Sequence, residues 1–127
     1  MKNLPAALIC TALFAAAPAY ARGQQELVGL INAFRTAPAA CNDRPAIRMP
    51  PYAAYAALAD LHVTTGAFLD QLIEARGFAV AKAEAIQITG PTDARDVMAA
   101  IADKYCGTLL NPDFSVIGAG RKGDSWL

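Results

Sequence analysis

A single histidine, His62, stands in 127 residues. That excludes a two-histidine metal site and any proton relay built from two imidazoles. Basic charge is not in excess: 11 Lys and Arg face 11 Asp and Glu. A phosphate backbone would find no positive surface, so nucleic acid is not an expected partner. No Gly-x-Ser-x-Gly elbow is present around Ser115 or Ser125, which argues against a serine hydrolase. The glycines at 118, 120 and 123 lie between expected strands rather than before a helix, so they form no phosphate loop. Repeats and low-complexity tracts are absent from residues 22–127.

Charge is also missing at the start. Lys2 is the only charged residue among the first 21. The stretch from Leu4 to Ala17 is almost wholly apolar, and Pro18-Ala19-Tyr20-Ala21 closes it before Arg22. A short basic start, an apolar run and an Ala-x-Ala end make a secretory signal. The run is shorter than the roughly 20 apolar residues that cross a bilayer. We therefore expect residues 1–21 to be a cleaved leader and residues 22–127 to be one exported domain, periplasmic or extracellular. No membrane span is expected after cleavage.

Of three cysteines, Cys10 falls in the expected leader. Cys41 and Cys106 remain, an even pair in an oxidising compartment, and are expected to bridge. A reactive thiol at Cys106 has no nearby histidine to activate it.

The apolar spacing of Leu27, Leu30, Ile31 and Phe34 predicts a helix over 24–36, ended by Pro38. A Pro-, Asn- and Asp-rich loop follows to Pro51. Residues 52–61 read as a short helix. A second helix is expected over 66–76, capped by Thr64 or Thr65 and stopped by Gly77. Residues 83–88 read as a strand, and a helix capped by Thr92 carries Val97, Met98, Ile101, Tyr105, Leu109 and Leu110 on one face. Strands over 114–119 and from Ser125, joined by a turn at 120–124, complete an α+β domain with helices covering a small, mostly antiparallel sheet.

Glu84 stands out as a carboxylate among apolar neighbours in an expected strand, with Ala83 and Ala85 turned to the opposite face. Two readings stay open. It faces solvent or pairs with Arg76 or Lys82; or it enters a cleft with His62 and holds a polar ligand or ion.

The segment Leu30-Ile31-Asn32-Ala33-Phe34-Arg35 resembles the opening helix of the CAP superfamily, which includes cysteine-rich secretory proteins, venom antigens and plant pathogenesis-related proteins. Arg76-Gly77-Phe78 followed by Ala83-Glu84-Ala85-Ile86 resembles that family's glutamate segment. Tyr105 to Gly118, with Leu109-Leu110-Asn111-Pro112 at its centre, resembles its histidine segment. The resemblance implies a compact α-β-α sandwich around a cleft that usually holds two histidines and two acidic residues. Glu84 matches the glutamate, His62 is placed as the first histidine, and Tyr105 stands where the second belongs. Ala85 replaces the family's asparagine, and no second acidic ligand is found. The implied metal tetrad is thus incomplete, so neither metal nor cofactor is expected. The expectation is a monomeric binding module whose cleft groups His62, Glu84 and Tyr105 hold a small apolar or lipid-like ligand, or which meets a protein partner. The alternative is a weak hydrolase using His62 and Glu84 on a bound water.

Overall fold

The computed structural model describes residues 19–41, 45–64 and 66–127. Nearly all of the expected leader, Cys10 included, lies outside the described residues, as does Thr65. The fold is α+β. Its frame is a pair of helices, α1 (Ala19–Thr36) and α3 (Ala94–Leu109), packed on each other.

Helical spacing explains the pairing. Leu27, Ile31 and Arg35 recur every four residues on α1 and are all buried. On α3 the buried face is Ala94, Val97, Ile101 and Leu109. Both faces meet Trp126, which is 1% exposed and whose indole N–H donates to the Pro91 carbonyl at 2.8 Å. α3 is capped by Asp93, whose carboxylate accepts from the Arg95 amide at 2.8 Å. The cap is thus one residue later than the expected Thr92. The helix kinks at Tyr105 (φ −124°, ψ 21°).

Among the described residues the strands are two residues each and fall into two sheets. β1 (Ala53–Ala54) pairs in parallel with β3 (Val116–Ile117), and β2 (Ile88–Thr89), β5 (Ser125–Trp126) and β4 (Arg121–Lys122) form an antiparallel sheet in that order. Tyr52–Leu61 is therefore not the helix its alanines suggest. Residues 53–54 are drawn into a ladder with residues 63 positions away, Ala53 with Val116 and Ala54 with Ile117, and only a 3-10 turn at Ala56–Leu58 follows. The cause is tertiary: the Ala53 and Tyr55 amides donate to the Ser115 and Ile117 carbonyls. That turn presses against Gly118 and Gly120, where an added Cβ would collide with Leu58 and with the Ala59 carbonyl. α2 (Leu69–Glu74) is shorter than expected and has no side-chain cap at Phe68. Gly77 follows it at φ +93°, as a left-handed stop requires.

The Cys41–Cys106 disulfide is formed, with Cα atoms 5.9 Å apart. It ties the loop after α1 to the last turns of α3. Among the described residues no helix is long and apolar enough to cross a membrane.

Candidate functional site

At the C-terminal end of α1 the sequence places a cation where the fold has no water. Arg35 is 1% exposed. Its guanidinium donates to the carbonyls of Pro50 (2.8 Å) and Leu109, lies 3.5 Å from the Phe114 carbonyl, and stacks 3.6 Å from the centre of the Tyr52 ring. Leu109 ends α3, where carbonyls lack helical partners and carry partial negative charge. Asn32, one turn earlier, holds the Tyr52 backbone from both sides: its side-chain oxygen accepts from the Tyr52 amide at 2.8 Å, and its amide donates to the Tyr52 carbonyl at 3.2 Å. Tyr52 completes the knot by donating to the Leu109 carbonyl at 3.3 Å.

Burial pushes the Tyr52 phenol above its ordinary value near 10.0. The Arg35 charge and its hydrogen bond oppose that shift, and the Glu84 charge adds to it. The folded state therefore holds the Tyr52 proton more tightly than the unfolded chain does. The stability this contributes is complete below about pH 10 and is lost as pH rises through the folded value. Melting temperature is expected to fall above about pH 10 more steeply in the native protein than in Tyr52→Phe. Identical slopes in the two proteins would remove Tyr52 from the alkaline transition.

This knot supports one side of an apolar cleft of about 360 Å³. Residues 78–86 form one wall and residues 113–119 the other, with Leu27, Ile31, Tyr52 and Ile101 reaching it from the core. The volume falls in the range of about 300–1,000 Å³ found for small-molecule sites. Lys82 and Asp113, one from each wall, pair across 3.4 Å, and the ammonium also lies 5.4 Å from the centre of the Phe114 ring. Phe78 is fixed edge-on against Tyr55, with ring centres 5.1 Å apart.

Glu84 lines this cleft. Its segment is not a strand, because sheet pairing begins only at Ile88. Glu84 pairs with neither expected cation. Arg76 is engaged by Asp60 and the Ala57 carbonyl, and Lys82 by Asp113. Arg76 donates to the Asp60 carboxylate and holds it below the usual range.

His62 is exposed and lines a second cavity, of about 570 Å³, with Asp60, Gln87, Arg121 and Ser125. Leu61, Val63 and Leu127 border both cavities. Tyr105 lines neither; it is half-buried against the core at the kink of α3. The three residues expected to converge thus do not line one cavity. Glu84 rides on an unpaired segment of the first cavity, His62 lines the second between Leu61 and Val63, which border both, and Tyr105 sits on the packed helix. Among the described residues no three His, Cys, Asp or Glu side chains are grouped to hold a metal ion.

Asn32 and Arg35 stand out in the sequence only through the resemblance of residues 30–35. The available signal was a polar pair three apart on an otherwise apolar helix face, the face on which Ile31 also sits.

No family model matches the chain, and no curated protein or solved structure is similar to it.

Proposed function

We propose that the protein is an exported, disulfide-bridged binding module of the CAP type, whose ligand is apolar and sits in the cleft between residues 78–86 and 113–119. The observation that carries this reading is the cleft: about 360 Å³, bounded by apolar side chains, with a rigid knot of buried hydrogen bonds at its base. Export rests on the leader-like N-terminus, and the bridged cysteine pair is compatible with an oxidising compartment. The hydrolase reading gains no support, because Glu84 and His62 line different cavities.

The uncharged dye N-phenylnaphthylamine tests the cleft. Its fluorescence is expected to rise saturably with the native protein. Ala83→Trp, which places a large side chain on the cleft wall, is expected to abolish that rise without lowering the melting temperature. Absence of saturable binding, or equal binding by the variant, would overturn the assignment.

A further inference from the structure

The wall of the cleft formed by residues 78–86 belongs to no helix or strand and has an uncommon property. Among the described residues, none of its backbone N–H or C=O groups makes a hydrogen bond to another backbone group or to a side chain. Among the described residues, nine consecutive residues of backbone thus have no hydrogen-bond partner, although backbone groups normally find one. The opposite wall carries a second open edge. Among the described residues β3 pairs only with β1. The carbonyls of Ser115 and Ile117 accept from β1, so the alternation of a strand turns the Val116 N–H and C=O away from β1. Val116 lines the cleft and is 38% exposed.

Two unpaired backbone edges thus border one apolar cleft. An acyl chain would fill the space and leave both edges unmatched. A peptide strand would match them, since strand addition supplies main-chain hydrogen bonds while alternate side chains enter the apolar space. The charge of the cleft sets a further condition. Lys82 and Asp113 neutralise each other, and Glu84 makes no ion pair among the described residues. The cleft therefore keeps one uncompensated negative charge beside an apolar surface.

We infer that the cleft is a docking groove for an extended peptide segment of a partner protein, with apolar side chains at alternate positions and a lysine or arginine opposite Glu84. This rests on the cleft being the ligand site, and names the class of ligand it takes.

The test uses the purified, bridged protein and isothermal titration with short capped peptides alternating valine and threonine around one lysine. The lysine peptide is expected to bind. A peptide N-methylated at alternate amides, with the same side chains, is expected to bind about tenfold or more weakly, because it cannot form the ladder. Replacing the lysine by glutamine, or Glu84 by Gln in the protein, is expected to cost about three- to fivefold, the scale of a solvent-accessible ion pair, and the two changes together no more than either alone. Glu84 is exposed, so Glu84→Gln keeps the native melting temperature and its loss of binding cannot come from misfolding. Equal binding of the N-methylated peptide would overturn strand pairing. Binding of N-phenylnaphthylamine with no binding of any peptide would overturn the peptide proposal and leave the cleft as an apolar site. Failure of both probes would remove the cleft itself. Concentration-dependent dimerisation that blocks peptide binding would assign the edges to a second copy of this chain and overturn the partner proposal.

Discussion

Arg35→Ala is expected to lower the unfolding free energy by about 3–5 kcal/mol, measured by urea denaturation with the buried Trp126 as the fluorescent reporter. The size follows from what the guanidinium does. It satisfies the carbonyls of Pro50 and Leu109 in a place closed to water, and its flat face covers the Tyr52 ring at 3.6 Å. Removing it leaves a cavity, strips the Pro50 carbonyl of its donor and leaves the Leu109 carbonyl with Tyr52 alone, and a buried polar group without its partner costs about 1–3 kcal/mol. No carboxylate pairs with this cation in the described residues. Its charge is instead offset by the C-terminal carbonyl of α3 and the ring of Tyr52, the arrangement that favours a cation at a helix end.

Arg35→Lys separates charge from shape. Lysine keeps the positive charge but is a point donor without the planar fork. It cannot stack on Tyr52 while reaching Pro50 on one side and Leu109 on the other. It is expected to cost about 2 kcal/mol, the loss of one or two charged hydrogen bonds and part of the stacking. A cost for Arg35→Ala below about 1 kcal/mol would show that the knot does not hold the fold together.

The two long helices were readable because burial imposes a period of 3.6 and their sequences carry it over several turns. Leu27, Ile31, Val97, Ile101 and Leu109 are all core residues where the spacing puts them. The bridge was readable by arithmetic, since exclusion of Cys10 left one possible pair. The strands were harder. A ladder of two residues has no period, and β1 owes its existence to Ser115 and Ile117, which lie far away in sequence. Gly118 and Gly120 show the same limit, because the close approach of Leu58 and Ala59 that demands them is not a local property. Of the candidate site, Glu84 was legible as a carboxylate among alanines and lines the cleft. That Glu84 and His62 line different cavities was not, since it depends on the tertiary path of residues 61–63 and 78–86. Arg35 was hidden for a different reason. Arginines are mostly exposed, and nothing local marks the one whose partners are three carbonyls from other elements.

Replacing both bridge cysteines, Cys41→Ser with Cys106→Ser, is expected to cost about 4 kcal/mol. The bridge closes a loop of 65 residues, and a cross-link of that span removes much of the freedom of the unfolded chain. Against a typical total of about 5–15 kcal/mol, the loss lowers the melting temperature by about 15–25 °C. In the native protein, alkylation without reductant is expected to leave Cys41 and Cys106 unlabelled; two labelled thiols would refute the pairing. The bridge and Arg35 both fasten the chain between α1 and β1: Cys41 reaches α3 at Cys106, and Arg35 holds Pro50 by its side chain and Met49 by its own carbonyl, 2.8 Å from the Met49 amide. They act on different states, however. The bridge restricts the unfolded chain, whereas Arg35 satisfies groups only in the folded one. If that division is right, Arg35→Lys costs the same in the bridged and bridge-free proteins, within about 0.5 kcal/mol. A markedly smaller cost without the bridge would mean that the loop has already left Arg35, so that the bridge also fixes the native position of Pro50 and with it the base of the cleft.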